Sequence, residues 1–215
     1  MPYRYYAKAL LHAILLSLLA FFSYLLLKIT LQYVPIDYDV AFLRIKQEYI
    51  EITHWRTAFF IHVFTSLAVL VAGFTQFSNY LLQKKPKIHR FIGYVYIIDI
   101  IFVTGPAAFV MSLYANGGYT SRIAFTVLSV LWWTITAMAW RRVMQKRFSE
   151  HRNFMVRSYA LTLSAVTLRL WKYGIVWAWH LPPMDVYRMV AWLGFVPNLI
   201  IAELLIKYYW NKKID

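Results

Sequence analysis

"ALLHAILLSLLAFFSYLLLKI", residues 9–29, holds no proline, no glycine and one charged residue, Lys28, near its end. About 20 such residues, wound as a helix at 1.5 Å per residue, reach across the ~30 Å hydrocarbon core of a bilayer. The stretch is too long for the apolar centre of a signal peptide, and no small-residue cleavage site follows it. It reads as a true span, and that reading makes lipid the solvent for the rest of the chain.

The composition agrees. The 215 residues are 61% hydrophobic and 15% charged, too few charges to cover a soluble domain of this size. The chain has no cysteine, which excludes disulfides, thiolate metal sites and a cysteine nucleophile. Six segments are apolar and long enough to cross, roughly 9–33, 55–82, 90–114, 122–143, 153–180 and 185–208. The expected fold is an all-α polytopic membrane bundle of six transmembrane helices, a single transmembrane domain over 1–215. Gly105-Pro106 and Pro197 fall inside the third and sixth spans and should kink them, since proline removes a backbone donor.

The net charge of +14 does not point to nucleic acid, because the basic residues stand in short stretches between apolar runs. Arg4 and Lys8, then Lys84, Lys85, Lys87 and Arg90, then Arg141, Arg142, Lys146, Arg147 and Arg152, and finally Lys207, Lys212 and Lys213 alternate onto one side. The opposite side carries segment 34–54, with four acids against Arg44 and Lys46, and two short loops. The positive-inside rule then puts both termini in the cytoplasm and leaves anionic headgroups at that face as the lipid partner. Segment 34–54 is the one sizeable external loop and could form a short interfacial helix.

Two His-Arg pairs, His89-Arg90 and His151-Arg152, stand at the cytoplasmic feet of the third and fifth spans. A cation at a helix amino terminus opposes the helix dipole unless an anion joins it. Lipid phosphate satisfies that requirement. A haem does too, with His89 and His151 as ligands of the iron and arginines facing the propionates. The headgroup reading expects a colourless protein and imidazoles turned outward or bonded to backbone carbonyls.

Ionisable residues within spans mark functional or tightly paired sites. Asp99 lies about 14 Å past Arg90 and Arg157 about 9 Å past His151 along their helices. Gln76, Arg157 and Glu203 are expected in one layer above the histidines, with Arg157 and Glu203 paired and Gln76 filling leftover hydrogen bonds. Near the outer face come His62, about 12 Å into the second span, then Arg169, Lys172, His180 and Arg188 beside Trp171, Trp177 and Trp179. A buried histidine such as His62 is more often a hydrogen-bonded structural residue than a ligand. No phosphate loop, metalloprotease motif or serine elbow appears, so the sequence assigns no catalytic residue. Gly117-Gly118 reads as a turn.

The ordered stretches "HVFTSLAVLVAGFTQF", "HRFIGYVY", "EHRNFMVRSYALTLSAVTLRL" and "VPNLIIAE" resemble an uncharacterised group of bacterial integral membrane proteins, the domain of unknown function 2306, over roughly residues 55 to 206. The resemblance implies a multi-span helical bundle, in a bacterial inner membrane, without an established activity. It carries over to His62, Gln76, His89, Arg90, Gly93, Tyr96, His151, Arg152, Met155, Arg157, Arg169, Asn198 and Glu203. With Asp99, the residues Gln76, Arg157, Arg169, Asn198 and Glu203 make the expected buried polar network. The placement of histidines is also similar to that of b-type transmembrane cytochromes, which extends the candidate cofactor-binding set to His62, Arg90, Arg152 and Arg157. Three functions follow as expectations. The first is a haem-b- or quinone-linked electron-transfer protein. The second is a non-catalytic accessory subunit or lipid-binding scaffold, meeting a membrane protein partner or a second copy. The third is a small-solute or ion transporter.

Overall fold

The computed structural model describes residues 2–210, with the side chains of residues 6, 10 and 13–208. Arg4, Lys8, Lys212 and Lys213, counted above among the basic residues, lie outside the described side chains. Among the described residues helix is the only regular structure. The chain forms two compact units, Met1–Ile50 and Glu51–Asp215.

The first unit opens with helix α1 (Pro2–Leu31), whose Ala13–Leu31 part is long and apolar enough to cross a membrane. None of its most apolar stretch is buried, as suits a helix that is apolar all round. Segment 34–54 is partly helical: a 3₁₀ turn at Ala41–Ile45 and the four-residue helix α2 (Gln47–Ile50). The Gln47 amide closes the loop by donating to the Tyr38 and Leu43 carbonyls at 2.7 and 3.2 Å. The Lys46 ammonium lies over the Tyr49 ring at 4.6 Å, a cation–π contact.

The second unit is a helical bundle. Helix α3 (Thr53–Thr75) ends well before residue 82, where the sequence reading put the end of its span. Ser78 explains the difference, because its hydroxyl accepts the Leu81 N–H at 3.3 Å and caps a separate short helix, α4 (Asn79–Lys84). Helix α5 (Pro86–Asp99) starts with proline in its first turn, where a missing N–H costs nothing. A π turn, Ile100–Thr104, joins it to α6 (Gly105–Ser112). A Cβ at Gly105 would stand 2.2 Å from the Ile100 carbonyl oxygen, so only glycine lets the backbone close that turn. The π turn immediately precedes Gly105-Pro106, the site marked for a kink.

Gly117 and Gly118, at φ +82° and +75°, make the turn into α7 (Gly118–Met144). The expected fifth span is two helices, α8 (Phe148–Thr162) and α9 (Ser164–Trp179), meeting at Leu163. The sixth is interrupted at Gly194–Phe195 between α10 (Pro183–Leu193) and α11 (Val196–Leu205), next to Pro197. Among the described residues five helices are long and apolar enough to cross: Ala13–Leu31, Thr53–Thr75, Pro86–Ser112, Gly118–Met144 and Pro183–Tyr208. The α8–α9 pair is not among them, since α8 carries Glu150, Arg152 and Arg157 in its fifteen residues. Within this unit α7 packs on α8 and α6, α3 on α5 and α6, α9 on α10, and α8 on α11. Large apolar side chains such as Phe91, Phe102 and Ile200 point outward, as lipid contact requires.

Candidate functional site

A group of buried hydroxyls locks the centre of the bundle, and no motif in the sequence announced it. The Tyr96 hydroxyl (α5) lies 2.8 Å from both Ser158 Oγ and Thr162 Oγ1 (α8). From α7, the Trp132 indole N–H donates to Thr162 at 3.0 Å and Thr136 Oγ1 meets Ser158 Oγ at 2.7 Å. Every member has a partner, so the cluster is a fully satisfied staple across three helices. On α3, Gly73 lets the Tyr96 and Tyr159 rings approach. The available signal was the i, i+4 spacing of Trp132 with Thr136 and of Ser158 with Thr162, which places each pair on one helix face.

At the two His-Arg feet the outcomes differ. The first turn of α8 contains Glu150, which pairs with Arg142 at 3.1 Å and with Arg147. The anion demanded at this foot by the helix dipole thus comes from the chain itself, whereas the other foot, α5, begins without an acidic residue. The His151 Nδ1–H donates to the Ala139 carbonyl on α7 at 2.9 Å. That is the bond expected of the headgroup reading. It equally fixes a ligating imidazole, because donation from Nδ1 leaves the Nε2 lone pair free. His89 Nδ1 is buried and has no hydrogen-bond partner, and the His89 and His151 rings are close enough to interact electrostatically. Arg90 is exposed and Arg152 partly buried.

Gln76 belongs to this foot, not to the Arg157–Glu203 pair. With its amide nitrogen toward the His89 carbonyl and its oxygen toward the Gly93 N–H, each contact measures 3.3 Å. Gly93 permits that approach, since a Cβ there would come within 2.8 Å of the Gln76 side-chain amide. Gln76 does not fill leftover hydrogen bonds of that pair as expected, because it is the cap of α3 and its amide is taken up by α5.

The remaining polar residues form separate small groups instead of one network. Arg157 and Glu203 make a bidentate pair between α8 and α11, Nε–Oε1 2.5 Å and Nη2–Oε2 2.8 Å, with the arginine also over the Phe154 ring at 5.4 Å. Asn198 Nδ2 reaches the Ala160 and Gly194 carbonyls and Thr167 Oγ1 at 3.0 to 3.1 Å, tying the two helix breaks together. Arg169 donates to the Ala165 carbonyl in its own helix. Asp99 accepts from the Thr104 hydroxyl at 2.6 Å. His62, one turn before Thr65 on α3, is close enough to Thr104 and Arg169 to feel both, and its Nδ1 is buried without a partner. At the far end, His54 bonds the Tyr114 hydroxyl at 2.7 Å and Arg188 bonds the Gly117 carbonyl and Asp185, each at 3.0 Å. Trp171, Trp177 and Trp179 are exposed.

Among the described residues no three His, Cys, Asp or Glu side chains gather to hold a bare metal ion. The donor set at the feet, two imidazoles, is of the kind that completes an iron already held by a porphyrin. The orphaned His89 nitrogen and the free Nε2 of His151 fit such a group chemically.

A family model described as a predicted membrane protein, DUF2306, matches residues 59–206, which takes in every residue from His62 to Glu203 discussed above. No curated protein and no solved structure matches the chain.

Proposed function

The chain belongs to this family of predicted membrane proteins, DUF2306, and from that premise we propose that it is a haem-b electron-transfer protein of a bacterial inner membrane. In this reading the α8–α9 pair crosses as the fifth of six spans, both termini are cytoplasmic, and His89 and His151 would hold the haem iron. One arrangement supports it. His151 is held by its Nδ1–H on the Ala139 carbonyl, and lies within electrostatic reach of a His89 whose buried Nδ1 has no partner. An orphaned polar atom inside a fold is costly, and a bound group that engages the His89 ring would relieve that cost. Arg90 and Arg152, next to the ligands, would balance the propionates, and Gln76 holds the first turns of α5 in place from α3. When bound, haem supplies reversible one-electron transfer.

A second reading has its own observation. The carbonyl bond of His151 and the internal anion Glu150 suit a lipid-binding scaffold in which Arg90 reaches headgroup phosphates. Difference spectra of the purified protein, dithionite-reduced minus oxidised, separate the two. The haem reading expects the Soret and α bands of a low-spin b-type centre. His89→Ala and His151→Ala should each abolish them, while His54→Ala and His180→Ala leave them. A colourless protein from haem-replete cells supports the scaffold and ends the haem reading.

A further inference from the structure

Asp99 is the central residue of the Pro86–Ser112 helix, which puts its carboxyl at the middle of the membrane in a helix that crosses one. A carboxylate at that depth is expensive unless a cation pairs with it. Among the described residues no Lys, Arg or His lies within salt-bridge distance of Asp99. Its carboxyl accepts from the hydroxyl of Thr104, a fully buried residue of the π turn, at 2.6 Å, with the Thr104 N–H and the Thr65 hydroxyl also within reach. Thr104 Oγ1 in turn meets Thr65 Oγ1, and Thr65 reaches the Ile61 carbonyl at 2.8 Å. Thr65 stands beside the centre of Thr53–Thr75, so the whole chain of oxygens lies at one depth.

Counting protons along this chain shows that it works in two senses. With Asp99 ionised, Thr65 donates to Thr104 and Thr104 to the carboxylate. With Asp99 protonated, the acid donates to Thr104, Thr104 to Thr65, and Thr65 to the Ile61 carbonyl. Each sense satisfies its hydroxyls, and passing between them takes one proton onto or off the carboxyl and the rotation of two hydroxyls, with no heavy atom displaced. The surrounding helices bring few titratable groups: His62 on α3, Arg169 near it on α9, and Tyr96 on the same helix as Asp99. Helix α7 has none between Arg122 and Arg141, and α6 has none at all.

We propose that Asp99 is a proton-binding site at the membrane midplane, its charged and neutral forms both accommodated by reversal of the Thr104–Thr65 hydroxyl chain. The site needs no cofactor, so it stands or falls independently of the haem reading.

The test is infrared spectroscopy of the full chain in lipid vesicles across pH. At neutral pH the protein should show the C=O stretch of a protonated carboxylic acid, bleached reversibly by alkali and absent from Asp99→Asn. Thr104→Val, which deletes the hydroxyl at nearly constant volume, should shift the band to higher frequency by freeing the acid from a hydrogen bond. A second readout uses unaltered protein. A hydrophobic carbodiimide, which attacks protonated carboxyls, should modify Asp99 at neutral pH and fail to do so after alkaline treatment, as read by mass spectrometry. Spectra of the native protein and Asp99→Asn that coincide at every pH would overturn the proposal. So would a band that alkali does not bleach, or Asp99 left unmodified at neutral pH.

Discussion

Gly73→Ala tests the packing at the bundle centre. A methyl group at residue 73 would lie 2.5 Å from Tyr96 Cε2 and 2.6 and 2.8 Å from Tyr159 Cδ2 and Cε2. Unstrained carbon contacts are about 3.5–4.0 Å, so both rings must retreat by about 1 Å. Neither is free to do so. The Tyr96 hydroxyl is held at 2.8 Å by Ser158 and by Thr162, and the Tyr159 ring packs on Phe77 at 5.3 Å between centroids. Either α3 moves away from α5 and α8, or the hydroxyl cluster breaks. Overpacking of this kind costs about 1–3 kcal/mol. Alanine's better helix propensity returns up to about 1 kcal/mol. With the full propensity return the net effect is a destabilisation of up to about 2 kcal/mol, a fall of up to roughly 8 °C in Tm for a chain of this length, read by intrinsic tryptophan fluorescence in detergent. Gly174→Ala is the matched control, because a Cβ there meets nothing within 4 Å and only the propensity gain remains. Equal stability of the two variants, or a stabilised Gly73→Ala, would refute the account of the α3–α5–α8 contact.

Glu203→Ala strands the Arg157 guanidinium and should cost about 1–3 kcal/mol, a loss of roughly 2–12 °C in Tm; Glu203→Gln, which keeps one acceptor, should cost less. The figure stays below that of a fully buried pair because the Glu203 side chain is 54% exposed. Tyr96→Phe should lower Tm as well, but toward the bottom of the same range, because Ser158 keeps Thr136 and Thr162 keeps Trp132 as partners. A carboxyl-terminal tag should be inaccessible to protease in intact cells and cleaved after permeabilisation. Cleavage in intact cells would reverse the topology on which both histidine depths rest.

How much could be read in advance depended on range along the chain. Apolar runs and proline positions are local, so the long helices and the interruptions at Gly105-Pro106 and beside Pro197 were legible. Ser78 is a local signal too, a cap ahead of Asn79, but it stands inside an apolar stretch that runs on past the end of α3. The break at Leu163 has no proline or glycine to mark it. Its partners, Thr167 and Asn198, meet only after α11 folds back onto α8. The Arg157–Glu203 pair could be anticipated from depth alone, since two isolated charges in one layer of a bundle have strong reason to meet. Gln76 could not be placed that way, because its partners are backbone groups of His89 and Gly93, which carry no sequence signal. The same holds for Tyr96, whose cluster assembles from three helices more than twenty residues apart.

The most direct test of the central claim is the haem content per chain of protein purified from haem-replete cells, measured as the pyridine haemochrome. The account predicts one haem b per chain, falling to background in His89→Ala and in His151→Ala while His54→Ala keeps its full complement. Native protein without haem, or haem retained in both His89→Ala and His151→Ala, would contradict it.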